Sequence, residues 1–273
     1  MTAILSKPLA FLRRDFLTAL SYRTSFAIQI VGILISTLTF YFLSRLVGRG
    51  MANQLAPYGG DYFAFVLIGV ATTDYLTVSL SGFASEIRQA QVLGTLEALL
   101  VTPTSVSTIL MSSCLYSFLQ TSLRVLLYLG AGVLLFGLKL TITLSGLMAV
   151  VVILALTIIS FIGIGMTSAA FIIVFKQGSP IAWLVGTASG LLGGVLYPVN
   201  VLPGWIEPFS FLLPITHALE AMRQIMLNGV GLAAVNSQAK ALTLFALVLF
   251  PLGLIAFAYG LRQARKEGSL VHY

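Results

Sequence analysis

The chain has 273 residues, 58% of them hydrophobic and only 8% charged, with 15 Lys and Arg against 8 Asp and Glu. An ordinary soluble domain carries about 25% charged residues, so this chain, with a mean hydropathy of +1.02, cannot clothe a water-facing surface and is read as an all-α integral membrane protein. The net charge of +7 argues for basic segment ends rather than for nucleic acid, because the basic residues form no stripe and no aromatics interleave with them.

Residues 1–23 come first. Leu5, Leu9, Leu12, Phe16 and Leu20 recur every three or four residues, while Arg13, Arg14 and Asp15 fall on other faces. That spacing predicts an interfacial helix lying in the headgroup plane, and the early charges exclude a cleavable signal. Charge-poor windows then mark six transmembrane helices, each needing about 20 residues to cross roughly 30 Å of hydrocarbon. They cover residues 24–44, 62–84, a run within 97–139, 141–175, 181–199 and 241–261, the last with a kink expected at Pro251. Six spans put both termini on one side. Nine Lys and Arg fall on that side and five on the other, which makes it the cytoplasmic one.

Between spans two and three lies a polar stretch, residues 85–103. Ser85 is placed to cap a helix with Glu86 in its first turn. Leu93, Leu96 and Leu100 follow one face, Arg88 and Glu97 are available to a partner, and Thr102-Pro103 stops the helix. The physics alone leaves two readings, an interfacial turn or a docking element.

A second polar region precedes the last span. Four of the nine prolines, Pro198, Pro203, Pro208 and Pro214, fall within 17 residues, a density that only broken or re-entrant backbone accommodates. Trp205 suits the headgroup level. His217, Glu220 and Arg223 stand three apart, so they share a helix side and are expected to form a local salt bridge.

Within the spans, Asp74 and Arg124 lie at similar depth, roughly 18 to 20 Å from the outer ends of their helices. An isolated carboxylate there costs about 2.5 to 3.5 kcal/mol on insertion scales, so the two are expected to pair. Gly186, Gly190 and Gly194 form two overlapping G-x-x-x-G steps, which suit close helix packing within the chain or at a subunit seam. His217 and His272 have no cysteines near them, and the single Cys114 forms no internal disulfide, so no metal site is expected.

G-T-L-E-A-L-L-V-T-P at 94–103 resembles the cytoplasmic coupling segment of the permease subunits of type-2 ATP-binding cassette (ABC) exporters. The hairpin G-V-L-Y-P-V-N-V-L-P-G-W-I-E-P-F at 194–209, followed by L-P-I-T-H-A-L-E-A-M-R-Q at 213–224, resembles the outer re-entrant helical hairpin of the same family. The resemblance implies one transmembrane permease domain over 1–273, with the hairpin at 200–228 and no nucleotide-binding domain. It implies ATPase coupling through Gly94, Thr95, Leu96, Glu97 and Pro103. Ala90 to Leu93 lack the charges usual before the Gly-Thr pair, and Glu86 and Arg88 are expected to substitute for them from further upstream. It implies an outer gate at Tyr197, Pro198, Pro203, Pro214, His217 and Arg223, which Glu220 joins by its helical spacing, and a dimer seam at the span-five glycines.

The partners so implied are an ABC ATPase subunit, a second permease subunit (a homodimer or a close paralogue) and membrane lipids, in the bacterial cytoplasmic (inner) membrane. No G-x-x-x-x-G-K-[ST] occurs, so the chain takes no cofactor itself and Mg-ATP belongs to the partner. The expected cargo is amphiphilic: a drug-like molecule, a lipid or a lipid-linked glycan. Two rivals stand beside this reading. One is an ion-coupled secondary carrier using Asp74. The other is an integral-membrane lipid-modifying enzyme, for which clustered carboxylates, histidines or a nucleophile are lacking.

Overall fold

A computed structural model describes residues 23–51, 53–92, 106–175 and 179–266. Among these residues every regular element is helical: α1 (Arg23–Met51), α2 (Tyr62–Val92), α3 (Val106–Phe136), α4 (Leu144–Phe175), α5 (Pro180–Leu192), α6 (Glu207–Ser210), α7 (Pro214–Asn228) and α8 (Asn236–Lys266). Short 3₁₀ turns occupy Ala56–Tyr58 and Val199–Val201. Helices α1, α2, α3, α4 and α8 have 29 to 32 residues, about 45 Å at 1.5 Å per residue. Each is long and apolar enough to cross a membrane.

The fifth expected span is shorter than the sequence suggested. α5 has 13 residues, about 20 Å of helix. Ser179 caps its start by accepting from the Ala182 N–H at 3.1 Å, with Pro180 following at the first helical position. It ends at Leu192 because Gly193 and Gly194 follow, the latter with φ +78°, and Pro198 lies just beyond.

α2 is the hub, buried along most of its crossing and packed by α1, α3, α4 and α7. Asp61 starts it, its side chain accepting from the Phe63 N–H at 2.9 Å. The other end corrects the expected cap at Ser85. α2 runs unbroken to Val92, and the Ser85 hydroxyl donates back to the Gly82 carbonyl at 2.9 Å. No proline interrupts 81–92, and helical backbone stays hydrogen-bonded in lipid and in water alike, so nothing stops the helix at the membrane surface.

α4 and α8 form the most extensive helix pair. Their backbones touch at Gly163 and Gly253: a Cβ on Gly163 would fall 2.3 Å from the Leu249 carbonyl oxygen, and one on Gly253 would fall 2.4 Å from that of Gly163. α8 continues through Pro251, which leaves the Leu247 carbonyl without its helical donor. α7 wedges between α2, α4 and α8, burying Ile215, Ala218, Leu219, Met222 and Ile225. Exposed Ile28, Leu126, Leu134, Leu247 and Ile255 on the long helices form the apolar belt that lipid tails require.

Candidate functional site

Arg223 anchors the hairpin end of the molecule. It is only 2% exposed, although a guanidinium stays charged and must be fully paired when buried. Here the partners are carbonyls. Nε donates to Phe65 O at 3.2 Å, Nη1 to Gly194 O at 2.8 Å and Nη2 to Val195 O at 2.9 Å. Its Cζ lies 3.3 Å from the centroid of the Phe65 ring, a close cation–π stack. Three elements therefore meet at one side chain: α7, the top of α2, and the turn after α5.

Gly69 makes this possible. A Cβ at that position would lie 2.4 Å from the Val195 carbonyl oxygen and 2.9 Å from Arg223 Nη2. The bare backbone of α2 lets the turn and the guanidinium approach together.

The expected salt bridge among His217, Glu220 and Arg223 is not formed. Glu220 accepts from the Tyr58 hydroxyl at 2.5 Å and from Gln224 Nε2 at 2.6 Å, while Arg223 turns to backbone carbonyls. The reason is depth: Arg223 points into the core, where carbonyls at the broken end of α5 need donors, and Glu220 faces the α1–α2 loop. Burial and the Glu220 contact push the Tyr58 hydroxyl well above its ordinary pKa, so it stays a donor. Asn228 ties the same loop to the end of α7, donating to Pro57 O at 3.0 Å. His217 Nε2 lies 3.0 Å from Phe211 O, its ring between Phe211 and Phe245.

The prolines build the corners of the hairpin. Pro198 precedes the 3₁₀ turn, Pro203 O accepts from Ile206 N and Glu207 N, and Pro214 is the first residue of α7. The Tyr197 hydroxyl donates to Leu191 O, closing the turn onto the end of α5.

Lower in the bundle, Arg124 Nη1 lies 3.8 Å from Asp74 Oδ2. With its amide oxygen turned inward, Gln29 of α1 accepts from Arg124 Nη2 at 2.8 Å and Nε at 2.9 Å. Three helices thus share one polar cluster, and Tyr75 adds a hydroxyl bond to Ser122 at 3.0 Å. Asp74 Oδ2 takes no hydrogen bond among the described residues. On successive turns of α2, Thr73, Thr77 and Ser81 each donate to the carbonyl four residues back. Their remaining lone pairs leave α2 with an acceptor-rich stripe.

The span-five glycines divide. Gly186 and Gly190 are exposed on α5; among the described residues a Cβ on Gly190 would meet nothing within 4 Å, and one on Gly186 only Leu80 at 3.9 Å. Gly194 leaves that face, because it sits in the left-handed turn past the helix end. Glu86 and Arg88 lie on the last turns of α2, while Gly94, Thr95, Leu96, Glu97 and Pro103 lie outside the described residues, as does the expected interfacial helix up to residue 22. Sequence reasoning missed Tyr58, Phe65, Gly69 and Gln29. Only Gln29 carried a signal, as the lone amide in the first span.

Comparison with known proteins gives these features a context. The family model described as ABC-2 type transporter matches residues 9–227. Nodulation protein J of Rhizobium meliloti (strain 1021) is 28% identical over 244 residues, 89% of each chain. ABC transporter G family member 20 of Dictyostelium discoideum is 52% identical over 42 residues, which are 15% of this chain and 6% of that protein.

Proposed function

The chain belongs to the ABC-2 type transporter family, and from that premise we propose that this membrane transport protein is the permease subunit of an ATP-driven exporter. The family match over residues 9–227 carries the reading. A separate ABC ATPase subunit supplies the energy, and residues 85–103 receive its closure through Glu86, Arg88, Gly94, Thr95, Leu96, Glu97 and Pro103. The continuity of α2 from Tyr62 to Val92 supports this, since a single rod joins that stretch to the hairpin.

In this reading α5, together with the broken turn and hairpin that follow it, is the fifth of six crossings, the hairpin is the outer gate, and both termini are cytoplasmic. The whole chain is one permease domain in the bacterial inner membrane. Two permease subunits meet along α5, where Gly186 and Gly190 are exposed and a Cβ on Gly190 would meet no neighbour within 4 Å among the described residues. The cargo is amphiphilic, its polar part passing the acceptor-rich stripe of α2 and its apolar part staying with lipid.

Purification from native membranes tests the proposal. An ATPase subunit should accompany the chain, and Glu97→Arg should abolish ATP-coupled transport while the membrane bundle stays folded. Transport by the purified chain alone, driven by an ion gradient, would overturn the reading in favour of a carrier using Asp74.

A further inference from the structure

We propose that Arg223 and Gly69 form a clamp that makes the hairpin ride on α2, so that movement of α2 at its far end is delivered to the gate. The inference rests on the ATP-driven reading above and goes beyond it by naming the positioning residues that transmit the movement.

α7 touches three long helices, but its bonds to them differ in kind. Against α8 and the body of α4 it presents Ala218, Ala221, Met222, Ile225 and Met226, an apolar surface along which packed helices slide by small shears. On the α4 side a backbone tie sits at the last turn of α7, where the Met226 carbonyl accepts from the Thr141 N–H of the loop before α4 at 2.9 Å. Toward α2 it presents directional, charge-assisted bonds: Arg223 to Phe65 O, with the same guanidinium holding Gly194 O and Val195 O. Sliding there would strand a buried charge. Tyr58–Glu220 and Asn228–Pro57 add two further ties between α7 and the loop leading into α2.

α7 is joined covalently to α8, only seven residues separating Asn228 from Asn236. It is nevertheless bonded to α2. The clamp therefore sets which neighbour the hairpin follows when α2 and α8 move apart. Gly69 is the α2 half of the device, because a side chain there would collide with Val195 O and with the guanidinium.

Spin-label distances in the complex with the copurified ATPase test this. In a Cys114→Ser background diluted with unlabelled chain, labels at Trp205→Cys and Gln54→Cys report hairpin against the top of α2. Labels at Trp205→Cys and Ser237→Cys report hairpin against α8. Gln54, Trp205 and Ser237 are all exposed. Trapping with ADP–vanadate should shift the 205–237 distance and leave the 205–54 distance unchanged.

In Gly69→Ala, and independently in Arg223→Lys, trapping should instead shift or broaden the 205–54 distance while ATP hydrolysis continues. A wild-type complex in which 205–54 changes and 205–237 does not would overturn the clamp. So would hydrolysis with neither distance moving, which would leave the ATP-driven reading intact. Absence of any copurifying ATPase would remove that reading and the clamp with it.

Discussion

The Arg223 guanidinium lies over the Phe65 ring and donates to the carbonyl of that same residue at 3.2 Å. One residue of α2 thus holds the cation by both its side chain and its backbone. Replacing Arg223 by Met would leave the Gly194 and Val195 carbonyls without donors at 2.8 and 2.9 Å. The expected loss of stability is about 3 kcal/mol, read as an earlier unfolding midpoint in detergent. Arg223→Lys should recover less than half of it, since an ammonium cannot reach three carbonyls in a planar fork. A Lys variant as stable as the wild type would contradict the geometry.

The Asp74, Arg124 and Gln29 cluster makes a prediction about insertion. Arg124→Leu leaves a carboxylate among apolar helices at a cost of about 2.5 to 3.5 kcal/mol on insertion scales, so the yield of folded protein in membranes should fall sharply. Asp74→Arg alone should do the same, placing two cations together. The double exchange, Asp74→Arg with Arg124→Asp, should restore yield toward wild type. Gln29→Leu should have the mildest effect, because Arg124 keeps Asp74 at 3.8 Å.

Tyr58 gives a pH signature outside the spans. Its folded-state pKa is raised, chiefly by burial and then by the bond to Glu220, so folding favours the protonated phenol. The contribution is fully present below the unfolded value of about 10 and is lost as pH rises beyond it. The stability difference between wild type and Tyr58→Phe should therefore be flat from about pH 6 to 9 and shrink in more alkaline solution. A difference that disappears near neutrality would place the titration on another group.

Gly190 separates packing within the chain from packing between chains. A Cβ there would meet no atom of the described residues within 4 Å, and Gly190 is exposed, so Gly190→Leu should leave the monomer inserted and folded. If α5 is the seam, crosslinking between subunits should fall severalfold. Unchanged crosslinking would move the seam elsewhere.

Much of the architecture was legible from charge and proline spacing. The long helices were marked by charge-poor windows, the hairpin by four prolines, and the Asp74–Arg124 approach by counting depth along two spans. The end of span two was misread because Ser85 followed by Glu86 has the chemistry of a cap, yet a cap acts only where a helix begins, and α2 was already under way. Arg223 was visible as a residue but not as an anchor. Its partners are main-chain carbonyls, which every residue possesses and no residue type announces. Gly69 looked like any small residue in a span, since what it accommodates comes from a turn 126 positions away.

The glycine crossing of α4 and α8 has one more consequence. With Gly163 and Gly253 in backbone contact, that pair leaves no gap for an acyl chain or a sugar, and any rotation between the two would drive peptide groups into each other. The pair is a stator. Whatever turns in this molecule turns against it.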